Sequence, residues 1–337
     1  MLHYNEYQDY TLMVAVLNSN ATTELSVHEI LLEYFRVTKP RVVSLIILTG
    51  FVSLFIAKNG INVTFADLIF SVLSGYLAVG GSHAINAYID RNADNVMRRT
   101  KHRPLASGKI NHPEIIIAMG TIMIILGSTV AFIAFNKVTA LLVLAGALFY
   151  VFIYSVLLKY RTSWNTVIGG IAGVLPILAG AAASNPSGYI PLNGWIFAGI
   201  LFLWQPSHFW ALAIYVKDDY LEAKIPMLPV VFGSKLTAKV IMASVVVTFF
   251  FALLFPLTGQ TSIVFGILMS LMGLVLIKSS YELYKVSDKI DSPLKDEYRK
   301  MALSNFKIHN IYLGLMSVLL MVDMAFFHPI HLFFLHL

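Results

Sequence analysis

The chain contains no cysteine. That excludes disulfides, thiolate zinc sites and haem–thiolate ligation, and it leaves the redox compartment open. Charge is scarce as well. Only 12% of the 337 residues are Asp, Glu, Lys or Arg, about half the share found in soluble domains. A basic segment before the apolar patch at 11–17 is also missing, and the patch is too short to span a bilayer, so the start does not read as a signal peptide. What is abundant is apolar: 58% of residues are hydrophobic, and the mean hydropathy is +0.75.

In hydrocarbon the backbone must satisfy its own hydrogen bonds, so apolar runs of ~20 residues read as helices. Nine runs qualify, at roughly 41–57, 68–89, 115–135, 139–158, 164–183, 195–216, 239–257, 262–284 and 309–327. The expected fold is an all-α polytopic membrane protein with nine transmembrane helices. Residues 1–35 form an N-terminal tail that ends in an interfacial helix near Val27–Phe35. One transmembrane domain covers 36–327, and 328–337 is a short C-terminal tail. With the N-terminus inside, 22 of the 24 lysines and arginines fall on the inner side, leaving Lys58 and Lys137 outside. This bias sets the orientation and puts the C-terminus outside.

Asn86, Asp90 and Asp94 recur every four residues at the inner end of the second span. On a helix each such step turns by ~40°, so the three share one face over ~12 Å. A basic stretch follows, with Arg98, Arg99, Lys101 and Arg103. The sixth span ends in a second acidic set, Asp218, Asp219 and Glu222, again followed by lysine and proline. The correspondence suggests a four-helix unit used twice, with the first span extra. Hard oxygen donors suit Mg²⁺, which takes carboxylates, water and substrate phosphates. Nearby cations, including Lys159, can clamp the free phosphate oxygens. Any one of these residues taken alone fits a solvated interface that fixes topology. Two acidic sets at matched inner ends are harder to explain that way, because helix C-termini disfavour acids and polar groups at membrane depth tend to be functional.

Deeper in the sixth span lies Trp204-Gln205-Pro206-Ser207-His208-Phe209-Trp210. Pro206 is expected to kink the helix. His208 falls eleven residues before Asp219 on about the same face, ~16 Å deeper on a continuous helix. Its imidazole can ligate iron or act as a base, or simply bond within the bundle. His83, one turn above Asn86, is a pocket-lining candidate. Gly169, Gly170, Gly173 and Gly180 in the fifth span point to close helix packing.

Asn86-x-x-x-Asp90-x-x-x-Asp94 resembles the first motif of the UbiA superfamily of intramembrane prenyltransferases. The chain is similar to the haem-farnesylating branch of that superfamily over about residues 35–327. The matching stretches are Tyr88–Arg91, Met97-x-Arg99-Thr100-x-x-Arg103-Pro104-Leu105, Tyr154 with Leu157–Lys159, Asn165 with Ile168–Gly170, Trp204-Gln205-Pro206-x-His208-Phe209, and Asp219-Tyr220-x-x-Ala223-x-Ile225-Pro226-Met227-Leu228-Pro229-Val230. The resemblance implies a UbiA-type bundle with a cytoplasmic-side cavity, in a bacterial or archaeal cell membrane. It implies transfer of a farnesyl group from farnesyl diphosphate to a vinyl group of haem B, giving haem O. Asn86, Asp90, Asp94 and Asp219 would be catalytic and hold Mg²⁺ and diphosphate, with Asp218 a further metal candidate. Arg99, Arg103 and Lys159 would neutralise the leaving group. Tyr154, Tyr220 and His208 would line the substrates; His83 lies outside the matching motif and is a substrate-lining candidate from its helix position alone. Haem B is substrate rather than cofactor, and membrane lipid, haem A synthase or a terminal-oxidase assembly are the implied partners, with no nucleic acid. Asp218 and Glu222 fall at variable family positions, and the sixth span lacks the fuller aspartate-rich second motif of quinone-type relatives. The competing readings are a UbiA-type transferase with an aromatic or chlorin acceptor, and a polytopic transporter without catalysis.

Overall fold

Ser26 opens the first helix with a capping box, its hydroxyl accepting from the Glu29 N–H while Glu29 accepts from the Ser26 backbone. From there the computed structural model describes residues 26–60, 62–289 and 295–327. The expected tails at 1–25 and 328–337 lie outside the described residues. Helix α1 (Val27–Val37) forms where a helix is expected near Val27–Phe35, with Ile30, Leu31, Leu32 and Phe35 exposed.

Nine helices among the described residues are long and apolar enough to cross a membrane. They are α2 (Pro40–Ala57), α3 (Phe65–Val96), α4 (Ile115–Ala134), α5 (Lys137–Leu158), α6 (Asn165–Ala182), α7 (Leu192–Tyr215), α9 (Leu228–Leu257), α10 (Ile263–Lys289) and α11, which spans as Tyr298–Phe327. A short helix α8 (Lys217–Glu222) sits between α7 and α9. Leu45, Ile122, Ile133, Phe250 and Leu271 face outward, as lipid contact requires.

Three expectations are corrected at the inner ends. The third helix continues through Asp90 and Asp94 to Val96, the span expected from 239 begins directly after a break at Gly233 (φ 79°, ψ 165°) that sets off a short helical piece from Leu228, and the one expected from 309 begins before Tyr298. Hydropathy registers only the apolar part of a helix, whereas the backbone ladder continues into polar sequence wherever neighbours pack against it. The fourth correction concerns His208. The α7 helix stops at Tyr215 and turns at Val216 (φ −103°, ψ 32°) before α8 begins, so His208 and Asp219 do not share one helix face.

Helix α7 is the axis of the bundle. Of its best apolar window 72% is buried, against at most 44% for any other span. It packs on α2, α6, α9 and α11, and it continues through Pro206. Helices α3 and α4 share the most extensive helix contact among the described residues, and small residues there replace side-chain interlock. A Cβ on Gly120 would lie 2.6 Å from the Gly81 carbonyl oxygen, and one on Gly81 would lie 2.6 Å from that of Gly120. Gly120→Val is therefore expected to force α3 from α4 and destabilise the protein by about 1–3 kcal/mol, measurable as a lower melting temperature in detergent.

Candidate active site

Helix α3 carries Asn86, Asp90 and Asp94 one above the other, each only 2% exposed. Asn86 Nδ2 donates to Asp90 Oδ2 at 2.9 Å, as i, i+4 geometry predicts. Helix α5 faces them. Its last stretch, Phe149–Leu158, winds as a π-helix, a form found mostly as short bulges at functional sites. The wider turn bonds Ser155 Oγ to the Tyr150 carbonyl and the Lys159 N–H to the Tyr154 carbonyl, both five residues back. Tyr150, Tyr154, Ser155 and Lys159 thereby come to the α3 side. Ser155 Oγ accepts from Asn86 at 3.0 Å, Lys159 donates to Asp90 Oδ2 at 2.5 Å, and Tyr160 donates to Asp90 Oδ1 at 2.8 Å. The loop after α3 returns Arg103, which reaches both Asp94 oxygens at 2.8 and 3.0 Å.

These groups line a cavity of about 130 Å³. Its walls hold Lys39, Asn86, Asp90, Asp94, Arg99 and Arg103, with Tyr150, Tyr154, Lys159 and Tyr220 opposite and Met97, Ile225 and Met227 on the apolar side. Two carboxylates thus meet four cations. Burial alone would lower the Lys159 pKa, but the charge and hydrogen bond of Asp90 more than offset it, so the pKa rises. Lys39 goes the other way: burial first, then the Arg103 charge, push it down to about 7. Burial also raises the Tyr160 pKa, and Tyr160 donates as a neutral phenol.

The second acidic set does not converge as a unit. Asp219 is buried and accepts from the Arg99 backbone N–H at 3.3 Å, at the edge of the cavity. Asp218 takes Arg299 at 2.6 and 3.0 Å, on α11, and Glu222 is exposed. His83 is buried one layer back, edge-on to Tyr150 at 4.7 Å. His208 lies among Trp204, Phe306 and His309, stacked on the first two at 4.3 and 4.4 Å, and its Nδ1 has no hydrogen-bond partner among the described residues. Neither histidine lines the cavity. The glycines of α6 are seats. A Cβ on Gly169 would overlap the Tyr154 ring, one on Gly173 the Gln205 amide, and one on Gly180 the Gly50 backbone.

Sequence reasoning missed Lys39, Tyr150, Ser155 and Tyr160. The available signal for Lys39 is its place directly before Pro40, opening a span on the side where the acids lie. Tyr150 and Ser155 were hidden because the π-turn has no signature in a 3.6-residue period.

Comparison with known proteins places this arrangement in a family. The UbiA prenyltransferase family matches residues 46–306. The chain belongs to the UbiA prenyltransferase family. It is 36% identical over 294 residues to the protoheme IX farnesyltransferase of Microcystis aeruginosa, covering 86% of this chain and 88% of that one. With the protoheme IX farnesyltransferase of Sulfurisphaera tokodaii it shares 36% over 301 residues, 88% of this chain and 95% of that one. Among solved structures, a digeranylgeranylglyceryl phosphate synthase superposes with TM-score 0.68 at 17% identity, covering 87% of this chain and 98% of that chain. A UbiA homologue from Archaeoglobus fulgidus bound to GPP and Mg²⁺ superposes with TM-score 0.60 at 15% identity, covering 86% and 99%. This UbiA-family prenyltransferase is therefore a multi-pass integral membrane protein, and the expected nine-helix fold class holds.

Proposed function

We propose that this UbiA-family enzyme transfers the farnesyl group of farnesyl diphosphate to a vinyl group of haem B, giving haem O. The observation that carries it is a buried cavity where paired carboxylates meet four cations, in a chain whose relatives are protoheme IX farnesyltransferases. The oxygen donors of Asn86, Asp90 and Asp94 fit Mg²⁺, and no imidazole lines the cavity. Among the described residues no three His, Asp or Glu side chains stand ready to hold a metal by themselves, which suits an ion that takes one or two carboxylates plus substrate phosphates. Mg²⁺ bound there would neutralise charge developing on the diphosphate.

The chain's own residues do the rest. Lys159, Arg103 and Arg99 clamp the diphosphate as the allylic C–O bond breaks, and donors fixed in advance favour that developing charge. Tyr150 and Tyr154, stacked at 5.5 Å, offer ring faces to the allylic cation. The terminal vinyl carbon of haem B bonds to C1 of the farnesyl group. Water then adds to the resulting cation beside the porphyrin and gives up a proton, leaving the hydroxyl. Asp219 holds the Arg99 loop and Tyr220 closes the wall, while His83 backs the Tyr150 ring. Asp218, held by Arg299, supports α8 rather than the ion. The N-terminus and this cavity face the cytoplasm of a bacterial or archaeal cell, residues 36–327 act as one catalytic domain, and the product passes to a haem A synthase or terminal oxidase.

Membranes containing the protein, incubated with farnesyl diphosphate and haem B, are expected to yield the haem O mass with Mg²⁺ and to lose it with a chelator. No product in either case sinks the proposal. Gly169→Ala is expected to displace Tyr154 and cut the rate by about 10–100-fold, with a smaller effect on melting temperature, in the same assay.

A further inference from the structure

Each of Asn86, Asp90 and Asp94 already holds a cation of the protein. Lys39 Nζ lies 2.7 Å from Asn86 Oδ1. Lys159 holds Asp90 and Arg103 holds Asp94. The Lys39 backbone is committed to this. It sits at φ 56°, ψ 56°, a left-handed conformation rare for a residue with a side chain, and disfavoured further by the following Pro40. The preceding turn keeps it there: Thr38 Oγ1 bonds the Phe35 carbonyl at 2.7 Å and Tyr76 OH at 2.9 Å, and the Lys39 N–H bonds the Arg36 carbonyl. Strain of this kind persists where surrounding structure over-determines it, and it clusters at functional sites.

The charge balance then matters. Arg99, Arg103 and Lys159 against Asp90 and Asp94 leave the cavity lining with an excess of one positive charge, and Lys39 in its ammonium form makes it two. A divalent cation arriving alone would raise that excess to four. A diphosphate arriving with the cation brings compensating negative charge and offers oxygens to the three cations now on Asn86, Asp90 and Asp94. We propose that Lys39 is a fourth diphosphate-binding cation, and that Lys39, Lys159 and Arg103 are exchangeable counter-ions of the metal-binding oxygens. Metal and diphosphate then enter together, and each binds weakly without the other. Lys39 acts as a substrate-binding residue through its ammonium, which leaves Asn86 for the phosphate oxygens. The inference rests on the reading of this cavity as the metal–diphosphate site.

The test is equilibrium dialysis of Mn²⁺ against the full chain in detergent, with and without inorganic pyrophosphate. Dialysis lets the free Mn²⁺–pyrophosphate complex equilibrate across the membrane, so an excess on the protein side is protein-bound. The wild type is expected to retain Mn²⁺ about tenfold more tightly with pyrophosphate than without. Lys39→Gln is expected to bind Mn²⁺ alone more tightly and to lose most of that coupling, while Lys39→Arg keeps it and so controls for folding. Equal retention with and without pyrophosphate, or a Lys39→Gln protein indistinguishable from wild type, overturns the inference and leaves the proposed function standing. Asp90→Asn separates the two: if it retains Mn²⁺ like wild type under both conditions, the cavity is not the metal site, and the inference falls with that reading.

Discussion

Asp90→Asn is expected to lower haem O formation by about 10²–10³-fold while the protein still inserts and folds. Asp90 is the most heavily engaged acid of the cavity. It takes Lys159 and Asn86 on one oxygen and Tyr160 on the other. Asparagine has the same shape and keeps a carbonyl oxygen, so much of the hydrogen bonding survives. The charge does not, and with it goes the means of holding a divalent cation against four neighbouring cations. Alanine would add a second effect, because removing one partner of a buried pair costs about 3–5 kcal/mol and would confuse misfolding with lost chemistry. Haem O measured by mass, beside a detergent melting curve, separates the two. Unchanged turnover in Asp90→Asn would remove Asp90 from the mechanism and count against the metal site.

Lys159→Met is the second large effect. Its ammonium has a side chain only 12% exposed, and it sits at the end of the π-helical turn, beside Asp90 and across from Arg103. Methionine matches its length and removes the charge. Turnover is expected to fall by about 10²-fold, with a higher KM for farnesyl diphosphate, because the cation meets the diphosphate before and during bond cleavage. Lys159→Arg is expected to recover only part of this. Guanidinium is a planar fork, and the spacing to Asp90 leaves little room for it. Steady-state kinetics over a range of farnesyl diphosphate concentrations checks both variants. A wild-type rate in Lys159→Met would mean that the leaving group is stabilised elsewhere in the cavity.

The two acidic sets looked equivalent along the chain, and the folded protein treats them differently. Asn86, Asp90 and Asp94 could be aligned in advance because they lie on one uninterrupted helix, where spacing alone sets the face. Asp218 and Asp219 could not. The helix breaks at Val216, and the short helix beyond it turns one acid to Arg299 and the other to the Arg99 backbone. His208 was affected in the same way. Its distance from Asp219 was a helical extrapolation across that break, and packing puts it among Trp204, Phe306 and His309 instead. The glycines of the fifth span read correctly as points of close approach. Which groups they admit, the Tyr154 ring at Gly169 and the Gln205 amide at Gly173, depends on helices distant in sequence.

By itself the sequence determined the membrane class, the nine apolar spans, the clustering of basic residues at their inner ends, and the face shared by Asn86, Asp90 and Asp94. These follow from local quantities: hydropathy over a window, side-chain charge, and the 3.6-residue turn. Only the tertiary structure decided which cation meets which acid. Lys39 precedes Asn86 by a helical hairpin, Lys159 follows Asp90 by two further spans, and Tyr150 and Ser155 face them through a π-turn that no periodicity announces. Pairings of that kind are set by how helices pack, because a buried charge takes whichever partner the neighbouring backbone brings within reach.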